Sequence, residues 1–276
     1  MNKLFAASLT LSCALATSPL REHMNFLSNL APIPCRDDLA AAAEKHFKKT
    51  GNAAEIGVRR GVFAAHNLAE WTGNYWAVDA WTIDSNVVDP NTPEAPSGHN
   101  FSRLDSFHYN IARDRLQPFF PRARQMRSFS VPAAAKFPNN TFDWIYIDAL
   151  HTYESVSEDL RAWWPKLREG GIFSGDDYGD MTDTEYMPFS RFQNFLKYPS
   201  WSGGNGGKGW WGNTGISRAE FSKLYAWGTV RAVQEFAAEH GAVLHITFML
   251  DCYSFPAWYM VKPPHLHGRG IKTYDQ

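Results

Sequence analysis

Cysteine is scarce in this chain. Cys13, Cys35 and Cys252 are all it has in 276 residues, and no two stand as C-x-x-C. That argues against a disulfide framework and against a thiolate zinc site. Neither sign of charge is in excess: 27 Lys and Arg face 28 Asp and Glu, a net charge of −1. A polyanionic partner such as a nucleic acid is therefore not expected. Arg122, Arg124 and Arg127 are too few and too interrupted for a basic stripe, and read as the solvent face of a strand. Long apolar runs are lacking too. Residues 4–16 follow Lys3 and are apolar, but too short for a stable membrane span. Ala14-Leu15-Ala16 resembles a signal-peptidase site, and Met24 offers an alternative start. The reading leans to a soluble cytoplasmic protein without membrane partners. Residues 1–23 as an organelle-targeting or secretion segment are the alternative. No internal repeat is evident.

What the chain does contain is concentrated in residues 142–178, FDWIYIDALHTYESVSEDLRAWWPKLREGGIFSGDDY. Residues 142–150 form an apolar run that reads as a strand buried on both faces, with Asp148 at its carboxyl end. Residues 155–167 read as a helix with Val156, Leu160, Trp163, Trp164 and Leu167 on one face. Ser155 and Glu158 form a capping-box pattern at its start, and Pro165 makes its last turn irregular. Gly170-Gly171 opens a second strand over 172–175, with Asp176 and Asp177 at its end. A strand–helix–strand crossover makes the two strands parallel. Asp148, Asp176 and Asp177 then meet at one edge. Three like charges there call for a cation, and oxygen ligands suit magnesium. The alternative is that the acids only cap helices and loops.

The dinucleotide fingerprint G-x-G-x-x-G is also missing. Residues 52–58 read as a strand, followed by Arg59-Arg60-Gly61, a helix over 62–71, and a strand over 75–81 with Asp79 near its end. This is the plan of a nucleotide-binding crossover, in which the second-strand acid can hold ribose hydroxyls. The turn reads Glu55-Ile56-Gly57-Val58-Arg59-Arg60-Gly61. An acid two residues before Gly57 would repel a pyrophosphate but suits an ammonium group. S-adenosylmethionine carries both an α-amino group and a ribose diol, and so fits Glu55 and Asp79 together. A glycine pair used only for packing is the alternative.

On these residues the chain resembles the class I S-adenosylmethionine-dependent methyltransferases, and within them the macrocin O-methyltransferase-like group. The resemblance covers roughly residues 53–263. It is most specific over YIDALHTYESVSEDLRAWWPKLREGGIFSGDDY, and extends to GTVRAVQEFAAEHGAVLHITF and PAWYMVKP near the end. It implies an α/β fold, Rossmann-like, with a seven-stranded, mostly parallel sheet, helices on both faces and an antiparallel last strand. It further implies cofactor contacts from Glu55, Gly57, Gly61, Asp79 and Asp148, and magnesium on Asp148, Asp176 and Asp177. Where metal-dependent relatives of catechol O-methyltransferase type carry a lysine base, three residues after the first acid, this chain has His151. Histidine suits proton abstraction near neutral pH. Asp148, His151 and Asp176 are thus the expected catalytic residues.

The remaining segments organise around that sheet. Residues 37–49 read as an amphipathic helix ahead of the first strand, covering the cofactor site. Residues 89–100 are a proline-rich excursion. Residues 101–119 read as a crossover helix with Leu104, Phe107, Ile111 and Leu116 on one face. Residues 125–129 read as the third strand, which places Ser128 or Phe129 near the adenine. A lid-like insertion at about 180–215, rich in glycine and in Trp201, Trp210 and Trp211, follows the Asp176-Asp177 pair. Residues 24–265 are read as a single domain, with a tail over 266–276. The expected activity is an O-methyltransferase, magnesium-dependent, acting on a small hydroxylated acceptor of sugar or phenol type. A metal-dependent hydrolase and a non-catalytic binding protein stay open, as does a homo-oligomer.

Overall fold

The computed structural model describes residues 32–47, 51–81, 101–178, 228–247 and 256–264, and the side chains of 101–105 are outside that description. The targeting segment, the excursion at 89–100, the lid with its tryptophans and the tail lie outside the described residues.

The chain opens with a 3-10 turn, Arg36–Asp38, and α1, Leu39–Phe47. Then follow β1 (Asn52–Ile56), α2 (Val62–Glu70), β2 (Asn74–Asp79), α3 (Phe101–Leu116), β3 (Ala123–Arg127) and α4 (Ser130–Ala134). The second half runs β4 (Phe142–Ile147), α5 (Tyr153–Trp163), β5 (Leu167–Gly175), α6 (Thr229–Glu239), β6 (Leu244–Ile246) and β7 (Trp258–Val261). The seven strands form one sheet in the order β3-β2-β1-β4-β5-β7-β6. All neighbours are parallel except β7, which runs antiparallel to β5 and to β6. This is the Rossmann-like architecture that the resemblance implied, with the last strand reversed.

Apolar side chains explain why the sheet is covered on both sides. All six residues of β4 are buried. Phe142, Ile145 and Ile147 pack with Val156, Leu160, Trp163 and Phe236 under α4, α5 and α6. Trp144 and Tyr146 point the other way, to Leu39, Phe63, Leu68, Trp71 and Tyr75 under α1, α2 and α3. Burial on both faces is what a continuous apolar strand in a parallel sheet requires. Trp71 meets Trp144 edge-on at 5.9 Å, a favoured ring geometry.

Local details differ from the sequence reading in several places. Strand β3 runs over Ala123–Arg127, two residues earlier than expected, and β5 starts at Leu167, so that Gly170-Gly171 lies inside it rather than opening it. Helix α5 starts two residues earlier than expected: Thr152 is its N-cap, accepting from the Ser155 N–H, so Ser155 is inside the helix. Its end is irregular as expected, passing into a 3-10 turn that carries Pro165. Helix α3 does not bury Phe107, which is 55% exposed, but packs through Ala112 and Leu116. The small Ala112 lies directly against Gly61, a close approach that hydrophobic periodicity does not encode. Arg124 and Arg127 are exposed as expected, whereas Arg122 turns back and donates to the carbonyls of Leu68 and Trp71 at the end of α2.

Candidate functional site

Parallel strands place all their carboxyl ends on one edge, and β1 to β5 deliver the chemistry there. The turn after β1 bends sharply. Gly57 has φ +93° and donates its N–H to Val78 O at 2.9 Å. A Cβ at Gly57 would come within 1.8 Å of the Asp148 carbonyl oxygen, so only glycine lets β1 pass β4 here. Gly61, at φ +68°, is the N-cap of α2.

Asp79 ends β2, as expected, and holds this turn in place. Its Oδ2 accepts from the backbone N–H groups of Val58 at 2.8 Å and Arg59 at 2.7 Å. Among the described residues its Oδ1 accepts only from Trp81 N–H, at 2.6 Å. The indole N–H of Trp81 returns to Arg59 O at 2.8 Å. A carboxylate offers about four lone-pair positions, so Oδ1 retains capacity for a hydroxyl. The Ser128 N–H donates to Asp79 O at 2.9 Å, which puts Ser128 and the 51%-exposed Phe129 beside Asp79 on the same edge.

Glu55 sits differently from a residue on the open edge. It is 1% exposed, on the inner face, and accepts a hydrogen bond from Tyr75 Oη, which itself accepts from Asn67 Nδ2 at 3.0 Å. Burial raises its carboxyl from 4.5 to about 8, while the Tyr75 hydroxyl works against that rise. Glu55 is therefore neutral through most of the neutral range and would ionise toward a cation brought close to it. The glycine turn, the spare oxygen of Asp79 and this buried acid together fit a ligand carrying a diol and an ammonium group.

The acids at the ends of β4 and β5 do come together. His151 Nε2 lies 3.5 Å from Asp148 Oδ1 and 3.3 Å from Asp177 Oδ2. Asp176 is 7% exposed, and its Oδ1 is buried without a hydrogen-bond partner among the described residues. Burial, then the neighbouring Asp148 and Asp177, push its carboxyl upward. Burial alone would lower His151, but Asp177, Asp148 and Asp176 outweigh it and raise the ring to about 9. His151 is thus an imidazolium at neutral pH as the acids stand.

One member of this cluster is absent from the sequence reading. Arg36, just ahead of α1, pairs through Nη1 with Asp176 Oδ2 and lies 3.8 Å from Asp148 Oδ2. Its guanidinium stacks over the Phe63 ring at 4.7 Å. The need for a cation was legible from three acids; which cation was not. Carboxylate oxygens are the right donors for magnesium. Yet Arg36 already holds Asp176, and among the described residues no three of His, Cys, Asp and Glu are disposed to hold a metal ion. As the side chains stand, the cluster does not fit magnesium.

Residues 54–178 match the family model described as a methyltransferase domain. No curated protein matches the chain. Among solved structures, an O-methyltransferase from Bacillus cereus in complex with SAH is 15% identical, covers 90% of this chain and 94% of its own, and superposes with a TM-score of 0.46. A protein from Corynebacterium glutamicum is 11% identical over 91% of this chain and 92% of its own, with a TM-score of 0.48. Spermidine synthase from Thermotoga maritima is 15% identical over 87% and 60%, with a TM-score of 0.42. Similarity this low reaches neither the reaction nor its acceptor.

Proposed function

We infer, from the premise that residues 54–178 carry a methyltransferase domain, that the protein transfers the methyl group of S-adenosylmethionine to a hydroxyl of a small molecule, of sugar or phenol type. One observation carries the reading. Within the matched stretch, the Gly57 turn, Asp79 and the Asp148–His151–Asp177 group share one sheet edge. Bound there, the cofactor supplies a methyl group already activated on its sulfonium.

The chain's own residues do the rest. Asp79 would hold the ribose diol through Oδ1 while keeping the turn in place through Oδ2. Glu55 would hold the ammonium group, and in doing so would give up its proton. Asp148 and Asp177 both hold the His151 ring through its Nε2. His151, when neutral, receives the proton that leaves the acceptor hydroxyl as the oxygen–carbon bond forms and the sulfur–carbon bond breaks. Its elevated titration point means that it works as a base only toward alkaline pH, or where the negative charge around it is reduced. Magnesium, the cation suggested by the three acids, enters this reading only in place of Arg36.

Calorimetric titration of S-adenosylmethionine into the full chain tests the reading. Saturable one-site binding to the wild type, lost in Asp79→Ala, is the expected result. No heat of binding to a folded wild-type chain would remove the cofactor assignment.

A further inference from the structure

Methyl transfer as derived above leaves Arg36 without a part, yet its guanidinium sits among the acids of the site. The segment that delivers it is tied down. The Ile33 N–H donates to Tyr259 Oη on β7 at 3.3 Å, the Cys35 N–H to Asp38 Oδ2 at 3.1 Å, and His66 on α2 bonds Asp37 O at 3.0 Å. Arg36 is therefore placed by backbone anchors on two sides of the edge, with its side chain only 15% exposed. Its contacts include the ring of Phe63 and the carboxylates of Asp176 and Asp148. Removing a buried carboxylate's charged partner is costly, so Asp176 keeps a cation beside it or takes up a proton. Beside that pair, Asp176 Oδ1 is buried and has no hydrogen-bond partner among the described residues. That oxygen is the position from which a second, smaller cation would begin to compete.

We propose that Arg36 is the resident cation of the Asp148–Asp176–Asp177 cluster, and that a divalent cation enters the cluster only by displacing it. A guanidinium and a dication compete for one buried carboxylate, because their mutual repulsion is stronger where water is excluded. The cluster then has two states. In one, the segment at 32–38 is docked and Arg36 neutralises Asp176. In the other, Arg36 has left and the carboxylates face a hard cation, for which their oxygens are suited. This holds whether or not the reaction is methyl transfer, since it concerns only the charge balance of the chain's own side chains.

Manganese alone, titrated into the full chain and followed by the electron paramagnetic resonance of the free ion, tests the proposal. Arg36→Gln is the variant to use, because it keeps an N–H donor for Asp176 Oδ2 while removing the charge; circular dichroism checks its fold. The expected result is weak or no uptake by the wild type, and one site in Arg36→Gln that is tighter by about tenfold or more. Adding Asp176→Asn to that variant should abolish the site. In thermal unfolding, manganese should raise the Tm of Arg36→Gln and leave the wild type unmoved. Equal affinity in wild type and Arg36→Gln overturns the proposal, as does a folded Arg36→Gln that gains no site. Tight one-site binding by the wild type overturns it without any variant.

Discussion

Replacing Glu55 by Gln should stabilise the protein, and by more as the pH rises. Glu55 is 1% exposed, and burial holds its carboxyl at about 8 against 4.5 when unfolded. Between those two values the native state keeps a proton that the unfolded chain has lost. Stability must therefore fall with pH across that window, by about 1.4 kcal/mol per pH unit. The window spans about 3.5 pH units, so the accumulated cost by pH 8 is about 5 kcal/mol as an upper bound. The Gln side chain does not titrate, and its amide oxygen can accept the same hydrogen bond from Tyr75 Oη. Urea unfolding of both proteins at several values between pH 4.5 and 8 reads the difference directly. His151 and Asp176 are common to both, so their own titrations largely cancel. A gap between variant and wild type that stays constant across the window would refute the reasoning. The functional corollary is that the stabilised variant binds S-adenosylmethionine more weakly. In the wild type, cofactor binding at neutral pH should release a proton, seen as a binding heat that depends on the buffer's ionisation enthalpy.

Three further outcomes follow from the same geometry. His151 is raised to about 9 by its acid neighbours, so its contribution to stability is complete below 6.5 and is lost as pH rises through about 9; it amounts to about 3 kcal/mol. The stability gap between wild type and His151→Gln should shrink over that range, and a gap that does not change with pH would contradict the ion pairing. Methyl transfer by the wild type should speed up toward pH 9 and be lost in the variant, measured as kcat/KM against pH. Gly57→Ala forces a Cβ against the Asp148 carbonyl at a positive φ, and should cost about 3 kcal/mol or more in urea unfolding; an unaffected midpoint would mean that β1 and β4 can separate. Leu160→Ala removes a side chain with 0% exposure from under the sheet, and should cost about 2–5 kcal/mol, whereas a loss well below that would show that the α5 face collapses onto the cavity.

The strands were legible because doubly buried strands are nearly continuous in apolar residues, as residues 142–147 are but for Asp143, which is paired with Arg168. Acids directly after such runs fall at the carboxyl edge whatever the rest of the fold does, which is why Asp79, Asp148, Asp176 and Asp177 could be placed early. The same property hid the orientation of Glu55. In a strand apolar on both faces, alternation does not tell which side a given residue takes, and only the neighbouring Tyr75 shows that Glu55 faces inward. The start of α5 was misread because Thr152 and Ser155 are equally good caps by composition, and the backbone chose the former. The buried side of α3 was misread because Ala112, not Phe107, meets Gly61.

The amino-acid sequence by itself determined the strand–helix–strand crossovers and the row of acids at their edge, since these follow from local pattern and from the handedness of the unit. The seven-stranded sheet with its reversed last strand was implied only by the family resemblance. The tertiary structure alone decided the charge balance of that edge. Arg36 stands 140 residues from Asp176, and no periodicity links them. His151 is held as an imidazolium by three carboxylates from two strands. Electrostatic interactions depend on distance in space and on exclusion of water, and both are properties of the folded chain.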